Sequence, residues 1–238
     1  MIIIDKKLRS RFISALAGKP SSRSYANEIP GRFIQNSEDV LLACENVYNS
    51  GIIFQQSGSA AKREGTPGVN IILSDLSAKI FAYFANTTNA SISQAQFDSF
   101  HEDCCVSFLT ALNAARTTAG FTELHYGSAQ KMVNMVFKYL ACYQDYIAFA
   151  QHFKWCHMPI DTVILKWLKD QYGIFDIHYY EYVDPDGKEH LSAQYKQTAW
   201  TKFDKDLYDE VVSIARTNIS ADQAFAEQTL LGVEAAIW

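Results

Sequence analysis

The sequence predicts a mainly α fold: two helical lobes around a cleft, with a small β-hairpin near 176–195. Three observations lead there. Only 11 Gly and 5 Pro occur in 238 residues, too few for the turn density of a sandwich or barrel. Hydrophobic residues make up 48% and aromatics 13% of the chain, enough to fill a sizeable core. Apolar residues also recur at helical spacing through most of its length. With no internal repeat, low-complexity tract or linker, residues 1–238 read as one globular unit. Its lobes would be 36–172 and the terminal helices, 1–35 with 199–238.

Residues 2–17 place Ile4, Leu8, Phe12 and Leu16 near helical spacing, with Asp5 as an N-cap. A polar loop over 18–30 follows. Asn36 or Ser37 caps the next helix, whose first turn carries Glu38 and Asp39 and which stops near Gly51. Residues 51–68 are small, polar and glycine-bearing, the pattern of an exposed loop. Apolar periodicity returns over 71–85. Ser93 with Gln96 has the form of a capping box, opening a helix that runs to Gly120 with His101, Glu102 and Asp103 on its polar face. Beyond the central stretch, alternation at Ile177, Tyr179 and Glu181 before Asp184-Pro185-Asp186-Gly187 predicts the hairpin. Two helices end the chain: 203–217, with Phe203, Leu207, Val211 and Ile214 as its stripe, and 221–237 after the cap Ser220.

Composition narrows the class. No apolar run approaches the roughly 20 residues of a membrane span, and Asp5-Lys6-Lys7 interrupts the apolar start, so the expectation is a cytoplasmic protein without a membrane partner. Five cysteines, odd in number and without CxxC spacing, speak against a disulfide framework or zinc knuckle and read as reduced, mostly buried residues. No metal or cofactor is called for. His101, Glu102 and Asp103 are adjacent and point to different sides of a helix. Net charge is −5, which disfavours a nucleic-acid binder as a whole. Residues 1–35, however, carry seven basic against two acidic groups, and 125–172 five against three, which leaves room for a local basic face.

The organising stretch is Leu124–Leu168. It sets Lys131 just inside a long apolar helix and Asp161 at the mouth of the next, both where an unpaired charge would be expensive to bury. Gly127-Ser-Ala-Gln-Lys131-Met-Val-Asn134, followed by His157-Met-Pro159-Ile-Asp161-Thr162, resembles the active-site region of helix-hairpin-helix DNA glycosylases. In that superfamily a glycine turn leads into a lysine-bearing helix, and a later Val-Pro-Val-Asp-Thr type segment supplies an aspartate. The resemblance covers about 45 residues, and the 30 positions from Lys131 to Asp161 are similar to the archaeal 8-oxoguanine glycosylase branch. The hairpin glycine pair is reduced to Gly127, and no cysteine cluster for iron–sulfur is present. The stretch is otherwise similar to uncharacterised bacterial proteins, which imply no activity.

The resemblance implies excision of a damaged base from DNA, with Lys131 as nucleophile, Asp161 as its partner, and Gly127, Ser128 and Gln130 against the nucleic acid. The chemistry can be stated on its own. A lysine attacks a sugar C1′ only as the free amine, so its pKa must fall from roughly 10.4. Lys138, two turns on, could bias it. Asp161 near a helix start is favoured as the carboxylate, suited to stabilise an oxocarbenium-like sugar and accept the lysine proton. An extruded base needs apolar walls, and Trp155 with His157 are the nearest candidates for such a pocket.

Plainer roles exist for each residue. Asp161 reads equally as an ordinary N-cap, Lys131 as a solvated residue snorkelling from an apolar helix, and Trp155, Trp167 and Trp200 as core. Two other functions therefore stand beside the glycosylase: a non-enzymatic helical binding protein, and an enzyme acting on a small-molecule nucleoside, which suits the acidic total charge.

Overall fold

The computed structural model describes residues 34–54, 66–143, 148–183, 187, 189–225 and 227–237. The helix expected over 2–17, the loop over 18–30 and most of the 51–68 loop lie outside the described residues, as do Asp184, Pro185 and Asp186 of the hairpin turn. The described chain is mainly helical, with seven α-helices and a small three-stranded antiparallel sheet.

Local cap chemistry sets most boundaries. Helix α1, Ser37–Ser50, begins with a reciprocal box in which the Asn36 side chain accepts from Asp39 N–H and Asp39 from Asn36 N–H, and it ends at Gly51 with φ 74°. Its buried residues Val40, Ala43, Cys44 and Val47 fall at helical spacing. Helix α2, Val69–Ala85, stops at Asn86, whose side chain opens the 3₁₀ turn Thr87–Ser91. The Ser93–Gln96 box starts α3, Gln94–Thr118.

Helix α4, Tyr126–Leu140, is buried along all fifteen residues, which makes it the axis of the fold, since a helix covered on every side cannot lie at a surface. It packs against α1, α3, the 3₁₀ turn Trp200–Lys202 and the later helix α6, Lys205–Ala221. An aromatic cluster of Tyr83, Phe84, Phe97, Phe137 and Phe153 joins α2, α3 and α4, with ring centroids such as Tyr83–Phe97 5.7 Å and Phe84–Phe153 5.1 Å apart. Helix α5, Thr162–Tyr172, ends at Gly173 and lies on the sheet formed by β1 Ile177–Val183, β2 Glu189–Tyr195 and β3 Thr198–Ala199. Strands β1 and β2 pair in register from Ile177↔Tyr195 to Val183↔Glu189, the expected hairpin. Helix α7, Leu230–Ile237, closes the described chain.

Three expectations are corrected. Ser220 is not a cap: α6 runs past it to Ala221, and its hydroxyl donates back to the Arg216 carbonyl at 2.5 Å. The last helix starts instead at Leu230, where Thr229 Oγ1 accepts the Gly232 N–H at 3.1 Å. The buried stripe of α6 is Tyr208, Val211, Val212, Ala215 and Ile219, with Leu207 and Ile214 only partly covered. His101 does not share a solvated face with Glu102 and Asp103; it is buried on the inner side of α3. The five cysteines are free and buried. Among the described residues no helix is long and apolar enough to cross a membrane.

Candidate functional site

Lys131 and Asp161 meet. Pro159 and the extended backbone of Asp161 (φ −148°, ψ −173°) deliver the aspartate to the first position before α5, where Oδ1 accepts the Ile164 N–H at 3.0 Å. The other carboxylate oxygen, Oδ2, takes Lys131 Nζ at 2.5 Å. The side chains are 5% and 11% exposed, so the pair is nearly closed to solvent.

Two turns along α4, Lys138 makes a second and deeper pair, Nζ to Glu234 Oε1 at 2.7 Å, with side chains 2% and 0% exposed. Burial pushes the Lys138 ammonium below its ordinary value against the attraction of Glu234, and Lys131 adds to the lowering. Burial likewise raises the Glu234 carboxyl, opposed by Lys138 and Lys131, while Asp161 adds to the rise. The four groups thus act on one another as a buried quartet of two cations and two anions. Glu234 Oε2, although buried, has no hydrogen-bond partner among the described residues.

A polar brace holds the first pair in place. Gln130 clamps the residue before Asp161 from both sides, its Nε2 donating to Ile160 O at 2.8 Å and its Oε1 accepting from Ile160 N at 3.1 Å. Asn134 Nδ2 donates to Gln130 Oε1, Met158 O and Tyr208 Oη at 3.0, 3.3 and 3.0 Å. Tyr208 Oη meets His157 Nδ1 at 2.8 Å, and His157 Nε2 meets Asp98 Oδ1 at 2.7 Å. An acceptor-only carboxylate at Nε2 assigns the proton there, so Nδ1 accepts from the tyrosine hydroxyl. Burial opposes ionisation of Asp98, but His157 and the bidentate Arg216, at 2.7 and 2.9 Å, hold its carboxyl well below the usual range. Burial lowers His157 and His101 and keeps both neutral; His101 Nε2 lies 2.9 Å from Asn134 Oδ1.

The other site residues read from the sequence fall elsewhere. Gly127 is pressed against backbone: a Cβ on it would stand 1.8 Å from Trp200 O, and its N–H donates to Phe203 O at 3.0 Å. Ser128 is 2% exposed and Gln130 fully buried. All three pack against or brace the chain here, whereas the resemblance implied contacts with a nucleic acid. The physical reason is the complete burial of α4, which leaves no open turn at its start. Trp155 turns to the segment before α3, with Nε1 donating to Ile92 O at 2.8 Å and Lys154 Nζ 4.4 Å from its ring. His157 is 3% exposed and borders a cleft of about 370 Å³ between α3 and α6, lined by Asp98, Ser99, Glu102, Lys205, Asp209 and Arg216. Lys131, Asp161 and Trp155 do not line that cleft.

Glu234 was missed by sequence reasoning, although a signal exists. It is the only charged residue in Leu230–Ile237, LLGVEAAI, and a lone acid in an apolar helix needs a buried partner. Among the described residues, no group of three or more His, Cys, Asp or Glu is placed to hold a metal ion. Compared with protein-family models, curated proteins and solved structures, the chain has no match.

Proposed function

We propose that this protein is a DNA glycosylase of the helix-hairpin-helix type, or a diverged relative, with Lys131 as nucleophile and Asp161 as its electrostatic partner. The observation that carries the reading is the 2.5 Å contact across 30 residues between Lys131, in the second turn of α4, and Asp161, the N-cap of α5. A buried ion pair adds little to stability compared with apolar residues of the same volume. Its presence is better accounted for by chemistry that needs an amine and a carboxylate together. In the reaction the Lys131 amine forms a bond to C1′ as the bond from C1′ to the base breaks, and the base leaves with the electron pair and a proton. The Asp161 carboxylate faces the positive charge that develops on the sugar. Collapse of the adduct to an imine makes it reducible.

One observation favours a second reading, in which the pair is structural and the protein is a helical binding module. Both side chains are nearly closed off, and Asp161 already serves as the cap of α5. Borohydride trapping separates the two. Duplexes carrying 8-oxoguanine, uracil or an abasic site are incubated with wild type and with Lys131→Gln. The glycosylase reading expects a covalent adduct in the first and none in the second. Absence of an adduct on every duplex defeats it and favours the binding module. Binding that weakens steeply with salt marks the polymer, not a nucleoside, as the ligand.

A further inference from the structure

Glu234 presents an anomaly that the proposed roles of Lys131 and Asp161 do not absorb. One of its carboxylate oxygens holds Lys138 at 2.7 Å, and the other is buried with no donor among the described residues. A buried, unsatisfied carboxylate oxygen is expensive, unless it serves as a place for a proton. The chemistry at Lys131 requires such a place. To attack C1′ the ammonium must become an amine, and if Asp161 took the proton it would cease to be the anion that stabilises the sugar.

We infer that Glu234 Oε2 receives the proton that Lys131 gives up. The inference rests on Lys131 reacting as a free amine. The proton leaves Lys131 Nζ and ends on Glu234 Oε2, so one ammonium becomes an amine and one carboxylate becomes a carboxylic acid. Asp161 stays anionic and Lys138 cationic. Two cations and two anions become one of each, so the net charge of the quartet is zero before and after, with Asp161 left against the neutral amine and Lys138 against the neutral acid.

The two carboxylates are placed for different states. Asp161 sits at the start of α5, bonded to the Ile164 N–H at 3.0 Å and to Lys131 at 2.5 Å. Glu234 is fully buried in the C-terminal half of α7, and burial raises its carboxyl above the ordinary range. The groups that bear on it are Lys138, Lys131 and Asp161. Among the described residues it is the one glutamate counted as buried.

The test removes the Lys131 charge without any substrate. Lys131→Met and Lys131→Gln both imitate the amine state, and infrared difference spectra against wild type at neutral pH report protonated carboxylic acids. The expected result is a new carboxylic-acid band that moves when the protein carries glutamate labelled with ¹³C at the side-chain carboxyl. A band that moves instead with aspartate so labelled, or no band in either variant, overturns the inference. A second measurement uses unaltered Lys131: the rate of borohydride-trapped adduct on abasic DNA against pH. Wild type should be level around neutral pH, because the quartet neither gains nor loses protons. Glu234→Gln should rise about tenfold per pH unit as Lys131 releases its proton to solvent. A Glu234→Gln profile as level as wild type again overturns it. Absence of any wild-type adduct would defeat the glycosylase reading, while the infrared result would still decide where the proton goes.

Discussion

Gly127→Ala sets helix propensity directly against packing. In an exposed helix the exchange would stabilise by up to about 1 kcal/mol. Here the new methyl would stand 1.8 Å from the carbonyl oxygen and 2.9 Å from the carbonyl carbon of Trp200, and 3.3 Å from that of Thr201. All three are main-chain atoms that cannot rotate aside. Relief requires α4 and the Trp200–Lys202 turn to part by more than an ångström, which also stretches the 3.0 Å bond from Gly127 N–H to Phe203 O. Overpacking of this kind costs about 1–3 kcal/mol and the weakened hydrogen bond about 1 kcal/mol. Set against the propensity gain, the net loss is about 1–3 kcal/mol, a drop in Tm of roughly 2–4 °C for each kcal/mol. Urea unfolding of the two proteins measures it. A Gly127→Ala protein as stable as wild type, or more so, would refute the close approach and with it the conclusion that Gly127 packs against the chain.

Three further outcomes follow from the charges. Asp161→Asn keeps an acceptor for the Ile164 N–H but leaves Lys131 uncompensated, and should lose about 3 kcal/mol; Asp161→Ala should lose about 1 kcal/mol more, the worth of the cap, both by denaturant titration. Lys138→Met should destabilise by about 3–5 kcal/mol through the stranded Glu234, and adding Glu234→Leu should recover most of it, as a double-mutant cycle would show; equal losses in single and double variants would contradict the pairing. Acidification should destabilise the protein in two ranges. Burial lowers His101 and His157, which stay neutral when folded but take up protons near pH 6.5 when unfolded, so stability is intact above that pH and falls below it. Asp98, held low by His157 and Arg216, adds stability that is full above about pH 4, its unfolded range, and lost as pH drops toward its folded value. Urea midpoints from pH 7.5 to 3.5 check both, and Asp98→Asn should flatten the lower range.

What the sequence made legible was local. The cap Asn36, the box at Ser93–Gln96, the cap Asp161 and the stop at Gly51 each join groups within four residues, so a short stretch contains both partners. Alternation in β1 and the Asp-Pro-Asp-Gly signal likewise lie within one hairpin. Ser220 shows where the local signal misleads, because a serine hydroxyl can cap a new helix or bond back within an old one. Lys131 and Asp161 could be singled out because a buried charge calls for a partner, and the resemblance joined them to each other, but the 2.5 Å contact that closes them off from solvent could not be read in advance.

Tertiary structure decided the rest, for a common reason. Lys138 and Glu234 are 96 residues apart, Asn134 and Tyr208 74, Asp98 and Arg216 118. Which side of α4 faces which neighbour depends on how α1, α3, α6 and the Trp200–Lys202 turn close around it at once. Gly127, Ser128 and Gln130 lie inside because that closure leaves the helix no solvent face. The sequence by itself determined the capped helix starts at Asn36, Ser93 and Asp161 and marked Lys131 and Asp161 as charges that need partners, since capping and desolvation act on single residues. Packing determined the partners, because a contact between distant residues exists only once the chain between them has folded.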